Sequence, residues 1–102
     1  MNKKEFQSFL EKNHFPEPVL VEQPPNGGLD IHIHDFEVYA LISEGYIEID
    51  IEGVVSTYAA GEMFHLAYQQ VHKEKYGVNG VKYFASRKGI YTPQLDKFLS
   101  PN

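Results

Sequence analysis

A chain of 102 residues with a formal net charge of −5 can bury one core but not two, so a single domain over residues 1–102 is expected. Its acidic balance lacks the Lys and Arg clusters that displace counterions from nucleic acid. The absence of cysteine excludes disulfides and thiolate metal sites, leaving imidazole and carboxylate as ligands for any transition metal. No apolar stretch approaches the roughly 18 residues that span a bilayer, and the start lacks the apolar centre of a signal peptide; both points indicate a cytoplasmic protein with no membrane partner.

Lys3 to Lys12 carry Phe6, Phe9 and Leu10 at helical spacing between charged positions, which predicts a short amphipathic helix within residues 1–15. His14 follows its end, where an imidazole would meet free carbonyls. Pro16, Pro18, Pro24, Pro25, Gly27 and Gly28 then leave room only for a short extended piece, Val19 to Glu22. Beyond Gly28 the period becomes two. Tyr46 to Glu52 alternates Ile47, Ile49 and Ile51 with Glu48, Asp50 and Glu52, one buried face and one solvated face. Glu52 and Gly53 predict a hairpin into Val54 to Tyr58. Leu29 to His34, Val38 to Ile42, Met63 to Leu66, Val71 to Lys75 and Val81 to Ser86 read as further strands, with Gly45, Gly61, Gly77 and Gly80 as turn residues near their ends. Many short, closely spaced strands over residues 19–88 imply an all-β barrel or sandwich. In the tail, residues 92–102, Leu95, Phe98 and Leu99 stand at helical spacing, limited to a turn or two by Pro93 and Pro101.

His32 and His34 stand two apart in a strand-like run, so both imidazoles take one face while Ile31 and Ile33 take the other. Two imidazoles on one face are half of a site for zinc, iron, nickel, manganese or copper. Further on come Gly61, Glu62, Met63, Phe64, His65 and Leu66, a loop over Ala67 to Gln70, and His72. Here the chain resembles the cupin superfamily. That family's first motif is a pair of histidines two apart, then a glutamate and a glycine; its second is a glycine, a short strand, a turn and a third histidine. His32, His34 and Gly45 match the first, and Gly61 and His72 the second. The resemblance runs from about Gly27 to Arg87. It implies a double-stranded antiparallel β-helix, a jelly-roll barrel with the short helix at its N-terminus, and one divalent transition metal ion held inside by His32, His34 and His72.

The fourth ligand departs from the family pattern. The usual glutamate position falls on Val38, which cannot ligate, and Glu37, one residue earlier, points the opposite way by simple alternation. Glu74 lies two residues beyond His72, so both project inward; a bulge after Phe36 would instead turn Glu37 around. Water is the third alternative. His65 is a pocket-lining candidate whose direction the loop before His72 leaves open. Without a metal, three enclosed imidazoles need good partners, because each unsatisfied polar group costs ~1 to 3 kcal/mol.

A fold does not choose a reaction. Three histidines with open coordination positions suit a metal-dependent enzyme, of dioxygenase or isomerase type, acting on a small molecule inside the barrel. The alternative is a non-catalytic module that binds or senses a small ligand. Outward-facing Ile31 and Ile33 predict a homodimer unless the N-terminal helix covers them.

Overall fold

The structure, a computed structural model, describes residues 1–89; the turn expected around Leu95, Phe98 and Leu99 lies outside the described residues. Helix α1 spans Lys3–Lys12, the expected bounds. It starts where it does because Asn2 and Glu5 form a reciprocal cap. The Asn2 side chain accepts from the Glu5 amide at 2.8 Å and the Glu5 carboxylate accepts from the Asn2 amide at 2.9 Å. At the other end Asn13 donates its side-chain amide to the Phe9 carbonyl at 2.8 Å. Asn13, not the His14 ring, therefore caps this end, while His14 takes the left-handed backbone (φ 59°) that ends the helix.

Among the described residues six strands follow: β1 (Val19–Gln23), β2 (Gly28–His32), β3 (Glu37–Ile51), β4 (Val54–Ala59), β5 (Met63–Leu66) and β6 (His72–Lys88). Every pairing is antiparallel. β6 pairs with β1, β2 and β3, and β3 also pairs with β4 and β5, so two long strands carry all the others. The β3–β4 hairpin turns at Glu52 (φ 52°) and Gly53 (φ 85°), two successive left-handed residues, as a two-residue turn between right-twisted strands requires.

Gly45, Gly77 and Gly80 do not end strands as expected; they lie inside β3 and β6. The β3–β6 register shifts between Ile42 and Glu44 and again between Gly45 and Ile47. There Gly45 and Gly80 face each other, both with positive φ, and a Cβ on Gly45 would lie 2.2 Å from the Gly80 carbonyl oxygen. This irregularity reverses the inward parity of both strands. Val38, Ala40 and Ile42 face in before it, and Ile47 and Ile49 after it; Tyr76 faces in on one side, Val81, Tyr83 and Ala85 on the other. A bulge lets one long strand bend and keep an apolar inner face on both arms.

The inner core joins these residues to Phe64 and Leu66. On the outer face α1 lays Phe6 and Leu10 against Leu41, flanked by Phe9, Phe15, Tyr39, Met63 and Phe84. The helix therefore does not cover Ile31 and Ile33, which stay 66% and 48% exposed. Among the described residues, no helix is long and apolar enough to cross a membrane.

Candidate metal centre

Antiparallel pairing of β2 with β6 sets His32 directly opposite His72, and paired residues share a face. His34 lies just past the end of β2, two residues on, so its imidazole returns to the same side; its Nε2 is 3.1 Å from that of His32. Glu74 follows His72 by two residues and shares its inward direction. Its Oε2 lies 2.9 Å from His72 Nε2, 3.3 Å from His32 Nε2 and 3.9 Å from His34 Nε2. The four ligand atoms all lie within 4.8 Å of one another.

The outer nitrogens decide what this cluster can do. His32 Nδ1 lies 2.7 Å from the Asp30 carbonyl oxygen and His72 Nδ1 lies 2.8 Å from that of Gln70. A carbonyl only accepts, so both Nδ1 atoms carry a proton, and in its neutral form each ring turns a bare Nε2 lone pair inward. Those lone pairs meet Glu74 Oε2, another acceptor. Acceptors this close repel unless a proton or a cation sits among them. Donors about 2.0 to 2.2 Å from a tetrahedral zinc-like ion stand roughly 3.3 to 3.6 Å apart, inside the 2.9 to 3.9 Å range of the imidazole spacings to Glu74 Oε2. These residues could hold a divalent ion.

His34 is held below the usual imidazole range, by burial first and then by His32 and His72; Glu74 opposes this and Arg87 adds to it. The ring stacks on Phe36 at 4.9 Å, and the Arg87 guanidinium lies 5.4 Å from the Phe36 ring centre. Tyr76 donates its hydroxyl to Glu74 Oε1 at 3.1 Å. Burial, with the Glu74 charge behind it, pushes that hydroxyl well up, and burial does the same to Tyr83. Both stay neutral donors at ordinary pH.

Glu37 and His65 are not part of this cluster. The register of β3 against β6 runs unshifted from Glu37 to Ile42, so no bulge turns Glu37 inward. Its Oε2 lies 2.6 Å from His65 Nε2 instead. His65 pairs across the strands with Tyr39, which packs against Phe9 and Phe15 on the helix side. It therefore sits on the outer face, which answers the direction that the loop before His72 had left open. Val38, at the position where a ligand would be usual, is a core residue at 4% exposure. Arg87 has no sequence signal that ties it to the site, whereas His72, Glu74 and Tyr76 stand at steps of two along one strand, which puts all three on one face.

No family model matches the sequence, and no curated protein does. Solved structures do match in shape. A cupin-2 domain containing protein from Shewanella frigidimarina superposes with a TM-score of 0.59 at 21% identity, covering 86% of this chain and 93% of that one. An RmlC-like cupin from the same organism gives 0.57 at 17%, covering 72% and 68%. The Schizosaccharomyces pombe Cnp3 cupin domain gives 0.63 at 14%, over 85% of this chain and 65% of the other. The chain has the cupin fold. Within that fold, the carboxylate nearest the three histidines comes from β6, two residues after the last histidine, and not from β3.

Proposed function

We propose that this cupin is a metal-dependent enzyme, of dioxygenase or isomerase type, acting on a small molecule inside the barrel. One divalent transition ion is held by His32, His34, His72 and Glu74. The observation that supports this reading is the convergence of imidazole Nε2 atoms on a carboxylate oxygen, with the Nδ1 atoms of His32 and His72 committed to carbonyls. Three imidazoles and one carboxylate suit zinc, iron, nickel, manganese or copper. When bound, such an ion supplies Lewis-acid polarisation of a coordinated oxygen or an activated water. The chain's own residues then bind and orient the small molecule. Tyr83 offers a neutral hydroxyl, and Phe36 and Arg87 offer an apolar ring and a cation beside His34.

The second reading is a non-catalytic module that binds or senses a small ligand in the same pocket. Metal analysis of protein purified without a histidine tag separates the two. About one ion per chain, with open coordination positions by spectroscopy, supports the enzyme; a metal-free pocket supports the module. His34→Ala should lose most of the metal, and Glu74→Gln should weaken binding more than Glu37→Gln. Undiminished metal in His34→Ala would sink the assignment, and the reverse order of the two glutamates would move the fourth ligand to Glu37.

A further inference from the structure

Glu74 has two carboxylate oxygens, and their surroundings differ. Oε2 faces the three imidazole nitrogens at 2.9 to 3.9 Å, whereas Oε1 accepts a hydrogen bond from the Tyr76 hydroxyl at 3.1 Å. We infer that Tyr76 is a positioning residue for the metal centre: by occupying Oε1 it aims Oε2 alone at the ion.

This inference rests on the metal-centre reading above. Three observations carry it. Tyr76 follows Glu74 by two residues in β6 and shares its inner face, so the phenol reaches along the strand to the carboxylate. The ring is fixed in the inner core at 4% exposure. Its backbone is tied as well, since the Tyr76 amide donates to the Gly27 carbonyl at 2.9 Å. The third observation is the space around the ring. A Cβ on Gly27 would stand 3.2 Å from Tyr76 Cδ2 and 3.0 Å from Pro24 Cγ, so the turn before β2 packs tightly against the phenol.

A carboxylate whose second oxygen is engaged takes one coordination position instead of two. The position it leaves goes to water or to the small molecule, as an open site requires. Partners that orient a ligand in this way typically contribute 10- to 100-fold to metal affinity. Tyr76→Phe keeps the ring and its packing and removes only the hydroxyl.

The test is cobalt(II) titrated into the metal-free full chain, with affinity measured by chelator competition and the visible absorption recorded. Wild type is expected to bind. Tyr76→Phe should bind about tenfold more weakly, with an altered cobalt spectrum. In a Glu74→Ala background the same change should alter affinity less than twofold, because no side-chain oxygen remains for the hydroxyl to act through. Equal affinity and an identical spectrum in wild type and Tyr76→Phe overturn the inference while leaving the metal centre intact. An undiminished effect in the Glu74→Ala background overturns it too, because the hydroxyl would then act by a route that does not pass through Glu74. Wild type that takes up no cobalt overturns the metal reading, and this inference with it.

Discussion

At the scale of single residues, the site depends on which nitrogen of each ring carries its proton. The Asp30 and Gln70 carbonyls settle this for His32 and His72, while His34 is governed by burial and by its two neighbouring rings. Because its pKa lies below the ordinary imidazole value near 6.5, the unfolded chain binds a proton at His34 over a pH window in which the folded chain does not. Stability then rises with pH through that window. The contribution is fully present above pH 6.5 and is lost as pH falls toward the lowered value. Unfolding of the metal-free protein followed from pH 7.5 to 5.5 should show this decline, with a shallower slope in His34→Ala. An unchanged slope in that variant would remove His34 as the cause. Alternation along β6 makes Glu74 legible from His72, and alternation back from Val38 correctly points Glu37 away. His65 was not legible, because the loop from Ala67 to Gln70 breaks the count of steps between it and His72.

At the scale of elements, patterns that repeat within one segment were readable, and departures from them were not. Charged and apolar spacing fixed α1 at Lys3–Lys12, and the Ile47 to Ile51 alternation located the hairpin arm. Glycine marks a turn and a bulge alike, so Gly45, Gly77 and Gly80 suggested breaks where the structure has bent, continuous strands. The difference is measurable. Gly45→Ala places a methyl 2.2 Å from the Gly80 carbonyl oxygen at a left-handed φ of 75°, adding steric overlap to backbone strain. A loss of about 2 to 5 kcal/mol is expected. Gly53→Ala is the control: its φ is also left-handed, but nothing lies within 4 Å of the added methyl, so only the strain of about 1 to 2 kcal/mol applies. Denaturant unfolding should rank the two variants in that order. Equal losses would mean that the Gly45–Gly80 approach imposes no constraint.

At the scale of the whole molecule, the question is what covers the outer side of the strand that carries the histidines. Inward His32 and His34 leave Ile31 and Ile33 outward, and Val71, just before His72 in sequence, is exposed as well; the three are 66%, 48% and 53% exposed. Helix α1 could have covered them within one chain. It lies instead on the face made by Leu41, Tyr39, Met63 and Phe84, so that competing explanation is removed. Exposed β-branched side chains along a strand promote association with another chain, and a two-fold arrangement would bury the same patch on both subunits at once. We therefore propose that the protein is a homodimer through this surface. Light scattering at micromolar concentration should give about twice the chain mass of 11.7 kDa, and Ile31→Lys combined with Ile33→Lys should return it to the single-chain value, since two like charges facing their copies across a two-fold axis oppose pairing. A wild-type mass of one chain would eliminate the dimer. A dimer that survives both substitutions would place the interface elsewhere on the barrel.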